Sequence, residues 1–117
     1  METDRQLLEL AAKAAGVFEE GEWFEDYDED GVCCLSFVIG DSAWNPIEND
    51  GDAFRLLMEL CITIKYGSGY VYASHSSFRT CFAEHLDKGK ESSIRRAIVR
   101  VAAEIGRKKQ NEASNGN

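Results

Sequence analysis

The last third of the chain carries the pattern that most restricts the fold. From Ile94 to Ile105, apolar residues recur every three or four positions with charged residues between them. This spacing predicts an amphipathic helix over about 91–108, with one face buried and the other in water. Such a helix needs a sheet or other helices to cover its apolar face. The polar stretch 110–117 predicts a disordered tail.

The first residues predict a second helix with both ends defined. Thr3 and Gln6 have the spacing of a capping box, in which each side chain bonds the backbone of the other residue. Apolar residues follow at helical spacing, and Gly16 is placed to end the helix in the left-handed conformation. We therefore expect a helix over about 4–15.

Short segments between these helices predict strands joined by tight turns. Residues 22–27 and 32–39 flank the turn-forming sequence D-E-D-G, and both faces of 32–39 are apolar, which is typical of a central strand. Further strands are predicted at 61–66, 70–74 and near 78–83. A short helix before them carries four apolar residues, namely Phe54, Leu56, Leu57 and Leu60, with Asp50 or Asp52 as its cap.

The predicted order is α-β-β-α-β-β-β-α, a single α+β domain over 1–109 with a mostly antiparallel sheet of about five strands. At 117 residues and 44% hydrophobic content, the chain has the size and composition of one globular domain. It shows no transmembrane run and no signal peptide, and its four cysteines lack metal-binding spacing. We expect a cytoplasmic protein with reduced, mostly buried thiols.

Charge is distributed very unevenly along the chain. Residues 1–54 hold 15 of the 21 acids and only two bases, a net −13, while residues 55–117 hold 11 bases and 6 acids, a net +5. Eight of the acids fall within 19–30. Together with the overall charge of −8, this disfavours binding to nucleic acid or to an anionic membrane and favours a basic partner.

The acidic segment has three interpretations. It is a solvated surface, a docking face for a cationic protein surface, or a metal site. Carboxylates on a strand can approach the charge density of a nucleic-acid backbone, and interleaved aromatic rings can anchor a partner. The residues predicted to bind such a partner are Glu22, Trp23, Glu25, Asp26, Asp28, Glu29 and Asp30.

Residues 26–31 also match the first half of a calcium loop, D-x-D-x-D-G. The position that requires a bidentate glutamate is Phe37, however, and a strand follows where the loop needs a helix. We therefore predict no metal site and no cofactor, and interpret this segment as the acidic tip of a hairpin.

Two other chemistries have little support in the sequence. The basic residues of the last helix could contact phosphate, but no DNA-recognition motif precedes them, so they read as an outer face that balances the acidic half. Only His75 and His85 could serve as a histidine base, and the phosphate-binding and nucleophile motifs are absent. We predict that the protein is not an enzyme.

The segment W-N-P…D-G-D-A, from Trp44 to Ala53, supports two readings. In one, Pro46 sets an extended entry, Trp44 packs on the core and an aspartate caps the helix. In the other, Trp44, Asn45, Asp50 and Asp52 line a loop that binds a small ligand.

This segment, together with the opening D-R-x-L-L-E-L-A and the closing R-R-A-I-V-R-x-A-A-E-I-G, resembles small bacteriophage and prophage proteins of unknown function, including NinX-like proteins. The resemblance covers about two thirds of the chain in scattered blocks and leaves out 19–30 and 67–90. It implies a phage accessory protein in a bacterial host cell and supplies no catalytic residue.

The sequence therefore predicts a non-enzymatic, phage-derived interaction protein whose acidic face binds a basic surface of a host or phage nucleic-acid-handling protein. Inhibition of a host-defence enzyme is one outcome of such binding. The alternative is a small-ligand or metal-binding module that uses the 26–30 turn or the 44–52 loop. A homodimer through an uncovered sheet face that bears Tyr70, Tyr72 or Phe78 is a further option.

Overall fold

The computed structural model of the protein describes residues 3–27, 29–31, 33–76, 81–86 and 89–115, with the backbone alone at 26, 33–35 and 113–115. These residues form three α-helices and two three-stranded antiparallel sheets. The α+β class is thus confirmed. The prediction of a single sheet of about five strands is wrong.

The elements follow one another as α1 (Asp4–Ala15), a single 3-10 turn (Phe18–Glu20), β1 (Gly21–Tyr27), β2 (Cys33–Ile39), β3 (Ser42–Ala43), α2 (Asp50–Leu60), β4 (Thr63–Gly67), β5 (Tyr70–Ser74), β6 (Cys81–His85) and α3 (Lys90–Asn115). None of the helices in the described residues is long and apolar enough to cross a membrane.

Helix α1 begins and ends as the sequence predicts. The Gln6 amide donates to Thr3 Oγ1 at 3.2 Å, the Thr3 amide donates to Gln6 Oε1 at 2.8 Å, and Gly16 ends the helix with φ 77°. Its buried face, which includes Leu7, Leu8 and Ala11, packs on α3.

Helices α1 and α3 run parallel and very close together. Asp4 lies beside Arg96 at the start of the contact, and Ala14 lies beside Lys109 at its end, so both helices advance in the same direction. At Gly106 a Cβ atom would lie 1.9 Å from the carbonyl oxygen of Leu10. The two backbones can approach this closely only because Gly106 has no side chain.

Helix α3 is longer than the sequence predicts. It includes residues 110–115, which we expected to belong to a disordered tail, while 116–117 lie outside the described residues. Lys13 Nζ donates to Gln110 Oε1 at 2.7 Å, so this extra turn is tied to α1 by a contact that local sequence does not reveal.

The first sheet has the order β1-β2-β3, which confirms the central position predicted for the 32–39 strand. Gly40, with φ 64°, supplies the two-residue turn from β2 to β3. The chain then leaves for α2 after only two residues of β3. The later strands form their own sheet, β4-β5-β6.

That second sheet packs one face against α3. Val71 and Ala73 of β5 are fully buried there. Strand alternation places Tyr70 and Tyr72 on the opposite face, where the Tyr70 ring lies 4.3 Å from the His85 ring. The predicted 78–83 strand corresponds to β6, and residues 77–80 lie outside the described residues.

A cluster of four aromatic rings joins the first sheet to α1. Phe37 of β2 is buried at its centre and contacts Phe18, Trp23 and Trp44, with ring centroids 6.2, 5.1 and 6.0 Å away. Gly21 lies against the Phe37 ring, where a Cβ would come within 2.1 Å of it. From α1, Arg5 covers Trp23 and Lys13 covers Phe18, at 5.0 and 4.8 Å.

Candidate functional site

The acidic segment forms the hairpin β1–β2 and the turn between its strands. Strand β1 is an edge strand, and its register runs from Gly21 opposite Ile39 to Tyr27 opposite Cys33. Alternation along the strand sends Glu22 to one face and Glu25 to the other. The hairpin therefore presents acids on both faces rather than the single acidic face that the sequence suggested.

Three of the hairpin acids are exposed and have no partner in the part of the chain that the structure describes. Glu22, Glu25 and Glu29 make no hydrogen bond or ion pair with the described part of the chain. Asp30 is also exposed, but it does interact with a neighbour. Asp28 lies outside the described residues, and Asp26 is described as backbone only, paired with Cys34 in the sheet.

The aromatic residues of β1 divide between the interior and the surface. Trp23, predicted to bind a partner, instead packs on Phe37, and its Nε1 atom is buried without a hydrogen-bond partner among the described residues. Phe24 and Tyr27 are 52% and 63% exposed. The aromatic surface available to a partner on this strand therefore comes from Phe24 and Tyr27.

The calcium-loop match of residues 26–31, which we interpreted as an acidic hairpin tip, includes two aspartates, Asp26 and Asp28, whose side chains lie outside the described part of the structure. Among the side chains that are described, no group of three histidine, cysteine, aspartate or glutamate residues lies close enough together to hold a metal ion.

The loop from Trp44 to Asp52 is held closed by its own polar groups. Asn45 Oδ1 accepts hydrogen bonds from the amides of Ile47 and Glu48 at 3.0 and 3.2 Å. Asp52 Oδ2 accepts from the Asn45 amide at 2.9 Å. Pro46 is fully buried beside this network. Asn45 and Asp52, predicted either to support structure or to line a pocket, thus shape the loop.

The cap of α2 differs from the prediction. Asn49, rather than Asp50 or Asp52, is the capping residue, and its Oδ1 accepts from the Asp52 amide at 2.9 Å. The two aspartates lie in the first turn of the helix, where negative charge is favourable. Both are paired: Asp52 Oδ1 accepts from Arg55 Nη2 at 2.7 Å, and Asp50 Oδ1 accepts from Arg95 Nη1 at 2.5 Å.

A cavity of about 340 Å³ opens beside this loop. Phe37 and Asp52 are its buried members, Trp44 and Asn45 are half-buried, and the exposed lining residues are Ser36, Ala43, Glu48 and Asn49. Trp44 and Phe37 meet edge to face with an interplanar angle of 72°. The cavity thus combines aromatic walls with two carboxylates, and no lysine or arginine is among the described residues that line it. Its size is that of a small-ligand site.

The sequence identified Trp44, Asn45, Asp50 and Asp52 as candidates here. Asp50 pairs with Arg95 and is not among the lining residues, and the sequence missed Ser36, Phe37 and Glu48. Ser36 and Phe37 belong to a strand that reads as core, and Glu48 is one acid among many. No local signal marks them, because strand and loop meet only in the tertiary structure.

The arginines of α3 are engaged within the protein. Arg95 also donates from Nε to the Ile47 carbonyl at 2.7 Å, Arg96 pairs with Asp4 at 3.1 Å, and Arg100 pairs with Glu84 at 3.0 Å. These contacts join α3 to α1, to α2 with its preceding loop, and to β6. These contacts favour the interpretation that the basic helix face balances the acids of the chain itself and does not bind phosphate.

Two of the cysteines are exposed, contrary to the prediction of mostly buried thiols. Cys61 ends α2 in the left-handed conformation with φ 55°, and Cys81 begins β6. Both are free thiols.

No family model matches the chain, and comparison with the curated proteins and with the solved structures found no match.

Proposed function

We propose that this chain is a non-enzymatic interaction protein of phage origin that uses its acidic hairpin to bind a basic surface of another protein. The partner would be a host or phage protein that handles nucleic acid. A cationic surface evolved to hold a phosphate backbone is the kind of surface that a row of carboxylates can occupy. Blocking a host-defence enzyme is one outcome that such binding would have.

The observation that carries the proposal is the grouping, in one hairpin, of three exposed acids that have no partner among the described residues. Elsewhere in the described chain, Asp4, Asp50, Asp52 and Glu84 neutralise arginines of the protein itself. Glu22, Glu25 and Glu29 are exposed and make no such pair with any described residue. Their field therefore extends into solvent and is available to a cationic partner.

The exposed rings of Phe24 and Tyr27 supply the second element that a docking surface needs. Charge alone accelerates encounter and selects the sign of the partner, while buried aromatic contacts lengthen the lifetime of a complex. Phe24 lies between Glu22 and Glu25 on the strand, so both kinds of contact come from the same edge.

The test is capture of partners from host lysate by the purified protein and by a variant with Glu22, Glu25 and Glu29 changed to Gln. We expect the original protein to retain a specific partner at low salt and the variant to lose it. High salt should release the partner, because exposed charges are screened within about 8–10 Å at physiological ionic strength.

A matched control removes the same charge elsewhere. A variant with Glu59, Glu91 and Glu112 changed to Gln has the same net charge as the hairpin variant, and these three residues are exposed and lie outside the hairpin. If both variants lose the partner equally, the capture depends on the net charge of the protein and not on the hairpin. Capture that survives in the hairpin variant would refute the proposal.

The alternative function, a small-ligand module, has one observation in its favour, which is the cavity beside the Trp44–Asp52 loop. A ligand that binds there should raise the thermal midpoint of the purified protein, since binding to the folded state alone stabilises it by mass action.

A further inference from the structure

We infer that the cavity beside the Trp44–Asp52 loop is a binding site for one cationic side chain, an arginine or a lysine, of the partner protein. The identity of the ligand as a partner residue rests on the proposed function. The preference of the cavity for a cation rests on its lining alone.

Charge in the cavity points to a positive ligand. In the described part of its lining, the two ionisable residues, Glu48 and Asp52, are both acids. Asp52 is neutralised by Arg55, but the Glu48 carboxylate makes no hydrogen bond or ion pair with the residues that the structure describes. A cation in the cavity would supply the partner that Glu48 lacks, and such charge-assisted hydrogen bonds are stronger than neutral ones.

The aromatic lining favours the same ligand. In the cluster around Phe37, the outer rings of Phe18 and Trp23 each have a cation from α1 over them. Trp44, at the cavity end of the same cluster, has no lysine or arginine of the described chain over its ring. The face of an indole is the strongest cation-binding surface among the side chains, so Trp44 can take a cation from outside.

Hydrogen-bond capacity remains for a guanidinium or ammonium group. Each oxygen of Asp52 accepts one hydrogen bond within the protein, from Arg55 and from the Asn45 amide, whereas a carboxylate has about four acceptor sites. Among the lining residues, Glu48 and Asn49 are exposed and Asp52 is buried. A long cationic side chain in the cavity would therefore meet acceptors from both exposed and buried residues.

The cavity also lies next to the acidic hairpin. Ser36, one of its exposed lining residues, is paired across the sheet with Phe24 of β1. A basic surface that docks on the hairpin could thus insert one side chain into the cavity. This contact would add shape selectivity to an interaction otherwise governed by charge.

The first measurement titrates the protein with N-acetyl-arginine amide and with its neutral isostere N-acetyl-citrulline amide, following the Trp44 indole and Asn45 amide signals by NMR. We expect saturable shifts with a Kd on the order of millimolar for the arginine probe, and binding at least about tenfold weaker for the citrulline probe. Equal binding of both probes, or no saturable shift with the arginine probe, overturns the inference.

Two variants locate the binding. Glu48→Gln removes the unpaired carboxylate from an exposed position and should weaken the arginine probe about tenfold with an unchanged thermal midpoint. Ala43→Met places a longer side chain at the exposed lining of the cavity and should also block the probe. If both variants bind the probe as well as the original protein does, the probe binds elsewhere and the inference fails.

The hairpin variant separates this inference from the proposed function. With Glu22, Glu25 and Glu29 changed to Gln, the arginine probe should still bind, because the cavity is intact. If that variant also captures the partner normally, the proposed role of the hairpin fails while the cation site stands. If Glu48→Gln loses the probe but captures the partner at full strength, the cavity binds a free cation and the assignment to a partner side chain is wrong.

Discussion

The hairpin β1–β2 and the helical body built on α3 use charge in opposite ways. In the body, acids and arginines that are distant in sequence pair across element boundaries, as Arg96 does with Asp4 and Arg100 with Glu84. In the hairpin, Glu22, Glu25 and Glu29 have no such counterpart among the described residues. Acidic residues in the body thus stabilise contacts between elements. In the hairpin, the electrostatic field of the acids extends into solvent. A net charge alone conceals this difference.

The two regions also differ in how they are packed. Small residues allow α1 and α3 to lie backbone against backbone, and both buried faces are continuous. The first sheet is attached through the rings around Phe37, with Phe24 and Tyr27 of its edge strand left exposed. We therefore expect mutations in the body to report on global stability and mutations on the hairpin surface to report on binding.

Replacing Phe37 with Ala should have the largest effect. Phe37 is buried, and its ring is the common contact of Phe18, Trp23 and Trp44, so its loss leaves a cavity worth about 3–5 kcal/mol of unfolding free energy. Urea denaturation measures this. Phe24→Ala, at an exposed position of the adjacent strand, is the control and should cost about 1 kcal/mol or less. A small loss for Phe37→Ala would mean that the hairpin contributes little to cooperative folding.

Gly106→Ala should destabilise the body by about 1–3 kcal/mol, because the added Cβ would overlap the backbone of Leu10 and force the helices apart. The matched control is Gly51→Ala in α2, where a Cβ would meet only side-chain atoms at 3.2 Å and beyond. That change should be neutral or stabilising by up to about 1 kcal/mol, since alanine is the better helix former. The thermal midpoints of the two variants measure the difference. Equal midpoints would contradict the close packing of α1 on α3.

Arg95→Met should cost about 1–2 kcal/mol, since it removes the hydrogen bond to the Ile47 carbonyl and the ion pair with Asp50. Lys65→Met, at an exposed strand position with no contact of this kind among the described residues, is the control for loss of a positive charge. If both variants show the same small change by urea denaturation, the arginines of α3 do not contribute to stability as the structure indicates.

The smallest effect is expected for the hairpin variant with Glu22, Glu25 and Glu29 changed to Gln. Unpaired carboxylates within one hairpin repel each other, so their neutralisation should leave the unfolding free energy within about 0.5 kcal/mol of the original, on the stabilising side. Denaturation at low salt measures the difference. A clear destabilisation would show that these acids have structural partners and would weaken the contrast between the two regions.

Local chemistry made part of this fold predictable. The Thr3–Gln6 capping box and Gly16 define α1 within the first residues of the chain, because a cap involves only neighbours in sequence. The cap of α2 was not predictable in the same way. Asn49, Asp50 and Asp52 are all residue types that can cap a helix. The Asp52 side chain instead accepts a hydrogen bond from the amide of Asn45, seven residues earlier in the chain.

The candidate site was likewise predictable only in part from the sequence. The acidic hairpin and the importance of Trp44, Asn45 and Asp52 could be inferred from composition and from turn-forming residues. The inward packing of Trp23 and the contribution of Phe37 and Glu48 to a cavity could not, since they depend on which strand face meets α1 and on where the chain turns after β3.

The sequence by itself determined the α+β class, the helix periodicity, the central position of β2 and the uneven charge, because each follows from side-chain order over a few residues. The tertiary structure alone decided that the strands form two sheets, that Asp4, Asp50 and Glu84 pair with distant arginines, and that a cavity opens beside Trp44. These features arise where segments far apart in the chain come within a few ångströms, and packing, rather than local propensity, selects those encounters.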